Sequence, residues 1–243
     1  MYRFDGLDNL PINYSISDKS DGNTSFLWGE KDEVENNRQS FYTKAGVEAD
    51  KSVMMALSHS TNVAVVDSSD SGKGVHDNRT GVNADGIITK EVGLTLSIIV
   101  ADCAPVIFFD FNKRVLALVH INGMNPDIID ETLNKFTSKF NSDTQNIVVS
   151  FGPCILKESF VVPTPFQIEL PEWKDYVKDV PDGRTSIDML GFLINRVIEL
   201  GVPEAQVFKT DIDTYKEEDL FSHRRSAVIG EPEGRFMVVA NII

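Results

Sequence analysis

The sequence predicts an α+β fold in a single domain. Three observations lead there. Eight short apolar runs read as strands, two segments carry strong helical signatures, and no repeat, low-complexity tract or Pro/Gly/Ser-rich linker divides the 243 residues. A chain of that length can bury a sizeable core in one unit.

Taken in order, the first element is a helix over 32–46, "DEVENNRQSFYTKAG". Strands follow at 62–67 and 85–90, separated by a long polar, Gly-rich stretch at 67–86. Loops of that length in compact domains tend to serve function. Further strands are expected at 94–100, 106–110, 115–120, 146–151, 205–210 and 235–242. Several are apolar throughout, which predicts cover on both faces of their sheet. Asn125-Pro126-Asp127 supplies a cap residue, a proline for the first helical position and an acid for the first turn. Ile129, Leu133, Phe136 and Phe140 then share one helical face. Ser186 is expected to cap a further helix whose buried stripe is Leu190, Leu193, Ile194 and Val197, with Gly201 just past its end.

Composition narrows the function. The chain is 42% hydrophobic and 25% charged, ordinary for a globular protein, and its net charge is −14. That charge disfavours nucleic acid and anionic membrane as partners, because phosphate neutralisation needs clustered Lys and Arg. Two cysteines in different settings do not make a disulfide framework. The N-terminus lacks the basic-then-apolar pattern of a signal peptide, and no apolar run reaches the roughly 20 residues needed to span a bilayer. A cytoplasmic location is the expectation.

The stretch "SIIVADCAPVIFFDFNKRVLALVH", 97–120, reads as an antiparallel ribbon. With its turn at 110–113, Val106 faces Ala117 and Cys103 faces His120. Opposed residues have Cβ atoms about 4.5–5.5 Å apart. That spacing suits two ligands of one metal ion, or a thiol beside its base. A buried Cys and a strand-end His with no joint role are the competing reading. Spacing does not decide among the three. His59 stands at a strand edge, His76 in the polar loop, and His223 beside Arg224 and Arg225, where an anion site and a solvated basic turn compete. Cys154 reads as a structural thiol.

Together these residues resemble the YfiH-like family, whose members carry the name of multicopper polyphenol oxidases or laccases. The resemblance runs from about Ser25 to Asn241. It rests on Asn37-Arg38, Leu57-Ser58-His59, Ala84-Asp85-Gly86-Ile87-Ile88-Thr89, the intact Ala101-Asp102-Cys103-Ala104-Pro105-Val106, Gly152-Pro153-Cys154-Ile155, Phe221-Ser222-His223-Arg224-Arg225 and Gly234-Arg235. Each motif is short, and their shared order is what makes them specific.

The resemblance implies a single α/β/β/α domain of two β-sheets flanked by helices. It also implies zinc-dependent purine nucleoside phosphorylase activity, with adenosine deaminase and methylthioadenosine phosphorylase activity beside it. Purine nucleosides and phosphate are the implied partners, with no nucleic acid and no membrane. The family's two His and one Cys ligands fall on His59, Cys103 and His120. Zinc is implied over copper, because four His are too few for a multicopper cluster. Asp85 and Asp102 become candidates for proton transfer or ligand orientation, with turn formation as the alternative. Arg38, Arg224 and Asn122 become candidates for substrate or anion contact, as does the helix start after His120. Two segments depart from the family: where it reads His-Ala-Gly-Trp-Arg-Gly, this chain has His120-Ile121-Asn122-Gly123-Met124-Asn125, and where it reads Gln-Val-His, this chain has Leu57-Ser58-His59. Two other functions stay open, a metal-free cysteine hydrolase or deamidase on Cys103 and His120, and a metal-binding family member without turnover.

Overall fold

The computed structural model describes residues 2–243. The chain runs through β1 (Ile12–Ile16), α1 (Lys31–Lys44), β2 (Ser52–Met54), β3 (Val63–Val65), β4 (Gly86–Thr89), β5 (Thr95–Val100), β6 (Ala104–Asp110), β7 (Val115–Ile121) and α2 (Ile128–Phe140). It continues through β8 (Ile147–Phe151), β9 (Val161–Val162), β10 (Val177–Asp179), β11 (Thr185–Ile187), α3 (Met189–Glu199), β12 (Val207–Lys209), α4 (His223–Ile229) and β13 (Phe236–Ile242).

Strand periodicity explains the layers. In β6, Ile107 and Phe109 point one way while Val106 and Phe108 point the other. The first pair, with Leu116 and Leu118 of β7, packs on Leu96 and Ile98 of β5 and on Phe236 and Val238 of β13. The second pair, with Ala117 and Val119, packs on Ile129, Leu133 and Phe136 of α2 and on Leu193 and Val197 of α3. Phe41 and Tyr42 of α1 cover Ile99, Met237 and Val239 on the far side. The result is four layers: α1, a sheet ordered β1-β13-β5-β2, a sheet ordered β12-β8-β6-β7-β4-β3, then α2 with α3. Each buried Phe adds about 1.5–3 kcal/mol. A small third sheet, β10-β11-β9, adds to the expected pair. In the outer sheet, β1 lies against β13 with Ile12 opposite Ile242.

Three local expectations are corrected. Ser186 lies in β11, and Asp188 caps α3 by accepting from Gly191 N at 2.9 Å. Asn125 does not cap α2, which begins at Ile128. Its side chain instead accepts from Asn122 N at 2.9 Å and donates to Ser60 O at 2.8 Å. The ribbon register also differs: Asp110 pairs with Val115, Val106 with Val119, and His120 with Pro105 rather than Cys103. The cause is Asp110, which stays extended while its Oδ1 accepts from Asn112 N at 2.8 Å and Lys113 N at 2.9 Å. The turn moves one residue along, and Arg114 takes a left-handed φ of 52°. A one-residue move of the turn slides the pairing by two, so every side chain keeps its face.

Candidate active site

Cys103 and His120 still meet, by another route. His120 is the next-to-last residue of β7, while Cys103 sits just outside β6. Asp102 before it has a left-handed φ of 70°. His59, on the loop ahead of β3, has a φ of 58°. A non-glycine residue held there costs of order 1–3 kcal/mol and persists only where its surroundings enforce it. His59, Cys103 and His120 all line one cavity of about 500 Å³. The two imidazole rings meet edge to face, centroids 5.5 Å apart at 64°.

Asp85 does the enforcing. Its fully buried carboxylate accepts from His59 N at 3.0 Å, from Ser60 N at 2.8 Å and from the Ser60 hydroxyl at 2.9 Å. Its backbone carbonyl accepts from His120 N at 2.7 Å. His120 Nδ1 lies 3.3 Å from Asp85 Oδ1, in a geometry short of a regular hydrogen bond. One carboxylate therefore shapes the His59 loop and faces the His120 ring, leaving Nε2 of that ring for another partner. Burial works to raise the Asp85 carboxyl, but the His120 ring and the Ser60 donors outweigh it and hold the group well below the usual range. Burial likewise works against a charged His120, and Cys103 and Asp85 together raise its pKa instead.

The other expected residues divide. Asp102 spends Oδ1 on the Thr214 hydroxyl at 2.7 Å and Oδ2 on Arg224 N at 2.6 Å, so it ties the Cys103 turn to α4. Arg38, expected at an anion, is 1% exposed and holds loops instead. It donates to Thr24 O at 2.8 Å, Gly74 O at 3.1 Å and Val75 O at 2.8 Å, and also to Asn78 Oδ1. Burial brings its pKa down to about 10. Arg224 and Asn122 line a second cavity of about 590 Å³, which shares Cys103 and His223 with the first. The Arg224 guanidinium donates to Val161 O at 2.9 Å and has no carboxylate partner among the described residues. Asn122 Oδ1 accepts from Met124 N at 2.7 Å and Asn125 N at 3.1 Å, which shapes the segment after His120. Cys154 is buried and burial pushes its thiol up, as a structural thiol requires. His223 pairs with Glu233 at 2.6 Å.

Trp28, Arg79 and Arg235 also line the first cavity. Sequence reading gave Trp28 and Arg79 no role. No periodic pattern marks them, and the only hint for Arg79 was its place in the 67–86 loop.

The pair of imidazoles suits a metal. Two imidazoles on one tetrahedral zinc place their centroids about 5 Å apart, given a Zn–N distance of about 2.0–2.1 Å. Two His and one Cys are also a donor set that zinc accepts. The trio is not drawn up to ligand distance: among the described residues no group of three His, Cys, Asp or Glu side chains is spaced to hold a metal ion. Among those residues no helix is long and apolar enough to cross a membrane.

A four-layer fold of this kind belongs to a known class. The chain is a member of the multi-copper polyphenol oxidoreductase laccase family, whose sequence model matches residues 15–242. Among its relatives, a purine nucleoside phosphorylase of Corynebacterium glutamicum is 28% identical over 208 residues, covering 83% of this chain and 80% of that protein. The purine nucleoside phosphorylase YlmD of Bacillus subtilis is 28% identical over 214 residues, 84% of this chain and 76% of that one. In three dimensions the chain matches the Bacillus licheniformis hypothetical protein YfiH with a TM-score of 0.86 at 20% identity, over 99% of both chains. YlmD of Geobacillus stearothermophilus matches with a TM-score of 0.84 at 23% identity, over 90% of this chain and 84% of that one.

Proposed function

We propose that this chain is a zinc-dependent purine nucleoside phosphorylase, with His59, Cys103 and His120 as the metal ligands. The observation that carries it is the His59–His120 ring pair, 5.5 Å apart in one cavity with Cys103 and backed by Asp85. The names of the relatives supply the reaction. Zinc bound by these residues supplies a Lewis acid that stabilises negative charge developing on an oxygen in the cavity.

The chain's own groups do the rest. Asp85 faces Nδ1 of the His120 ring, which would leave Nε2 for the metal, and it fixes the loop that carries His59. Asp102 positions α4 and so holds Arg224 beside Cys103. Arg224, with no carboxylate to neutralise it, binds phosphate. In phosphorolysis a phosphate oxygen bonds to the ribose C1′ as the C1′–N9 bond breaks, and the base leaves with a proton. Asn122 shapes the wall between substrate and α2.

The test is a product scan on zinc-loaded protein with adenosine and inosine. Free base and ribose 1-phosphate are expected only when phosphate is supplied. Inosine formed from adenosine without phosphate would assign deamination instead. A second reading, a metal-free hydrolase with Cys103 as nucleophile and His120 as base, is favoured by one observation: the three donors are not at ligand spacing. That reading has no need of His59, so an active His59→Ala variant without zinc would select it.

A further inference from the structure

We propose that Trp28 is the platform on which the purine ring stacks, at the mouth of the cavity that holds His59, Cys103 and His120. This rests on the nucleoside reading above and adds the residue that recognises the base.

The two tryptophans of the chain have opposite settings. Trp173 is 1% exposed and stacks on Phe192, centroids 3.9 Å apart and 7° from parallel. Trp28 is 41% exposed, follows a Leu27 that is 75% exposed, and lines the cavity. An aromatic side chain this large gains most when buried, yet this one is held half in the open over a site.

The ring is not loose. Its backbone N–H donates to Ser25 O at 3.1 Å. The turn before it is stitched to the start of β13: Asn23 Oδ1 accepts from Arg235 N at 2.9 Å, and the Thr24 hydroxyl donates to Arg235 O at 2.8 Å. Arg38 secures the same turn through Thr24 O. The Arg235 guanidinium lies 5.7 Å from the Trp28 ring centroid and is itself held by Glu233 at 2.8 Å. A cation there fixes the indole by cation–π attraction. A pre-positioned aromatic face costs little to order on binding, and base–aromatic stacking tolerates any base because each has a π face. A cavity of about 500 Å³ is of a size usual for small-molecule sites. The ligand class is therefore a nucleoside whose base stacks at the mouth while its sugar points inward to the Cys and His side chains.

The experiment uses tryptophan fluorescence and steady-state kinetics on the zinc-loaded full chain. Adenosine and inosine should quench the emission of the exposed indole, and ribose should not. Trp28→Phe should abolish that quenching, because the remaining Trp173 is buried, while keeping KM within about 3-fold of the parent, since phenyl also stacks. Trp28→Ala should raise KM about 10–100-fold with kcat little changed. Melting temperatures near the parent's would show both variants folded, as expected for a side chain outside the core. Unchanged KM in Trp28→Ala, nucleoside quenching that persists in Trp28→Phe, or quenching by ribose alone would each overturn the proposal. Quenching without turnover keeps the stacking platform and removes the phosphorylase reading. Turnover with no effect at Trp28 does the reverse.

Discussion

Asp110 and Asp85 are both fully buried, and both spend carboxylates on backbone N–H groups of a tight turn. Asp110 closes one end of the β6–β7 ribbon. Its Oδ1 takes two donors from the next three residues, and Oδ2 has no hydrogen-bond partner among the described residues. Asp85 serves the open end. It gathers donors from residues more than 20 positions away and stands 3.3 Å from an imidazole. The first is a local device that ends a strand. The second joins two segments far apart in sequence around the His59–His120 ring pair. The difference teaches that a carboxylate accepting N–H groups becomes part of a site when its reach is non-local and a titratable ring completes its shell.

Four substitutions break or sharpen that contrast. His59→Ala should have the largest effect. Zinc, expected at about one per chain, should fall to a small fraction, because a site with three protein ligands cannot spare one. Nucleoside cleavage should fall more than ~100-fold. Metal analysis of the purified variant checks the first outcome and the product scan the second. Asp85→Asn should weaken zinc binding about 10–100-fold, read by competition with a chelating dye. It should also cost about 1–3 kcal/mol of stability, because an amide N–H₂ replaces an acceptor among converging donors.

Met124→Arg tests the altered segment after His120. Met124 is 67% exposed at the rim of the second cavity, where a longer side chain has room. A charge-assisted hydrogen bond to phosphate should speed cleavage by about 10-fold, seen as a higher kcat/KM for phosphate. Asp110→Ala is the local control and the smallest effect. Chemical denaturation should show a loss of about 1–2 kcal/mol for two freed N–H groups. Zinc content and cleavage should not change. A loss of zinc there would mean that the two ends of the ribbon are not independent.

Much of this was legible from residues alone. The eight strand-like runs all became strands, and in β4 to β8 and β13 every residue is buried, which leaves an unbroken or nearly unbroken hydrophobic signature. The short β2 and the three-residue strands of the small sheet were not foreseen, since three residues hold too little pattern. β1 was missed although Ile12, Tyr14 and Ile16 alternate inward, because its neighbours are polar and Pro11 precedes it. The ribbon register went astray at one residue. Asp at the head of "DFNKR" collects the N–H groups of the loop, so it belongs to the strand and not to the turn. That His59, Cys103 and His120 come together at one cavity was legible through motif order. Asp85 was legible as a candidate for ligand orientation, but its hold on the His59 loop was not, because a carboxylate that meets N–H groups across the fold leaves no mark in local spacing. Arg38 misled for a related reason: an arginine beside an asparagine reads as an anion contact until burial shows its donors spent on carbonyls.

The burial of Cys154 has a practical consequence. Its thiol sits in the core with its ionisation pushed up, so at neutral pH it presents no thiolate to a reagent. Cys103, half-buried at the cavity wall, is then the one cysteine thiol an alkylating probe can reach. The native chain thus carries a single chemical handle at the centre of its candidate site. The mass added by iodoacetamide reads out, molecule by molecule, whether that sulfur is free or engaged.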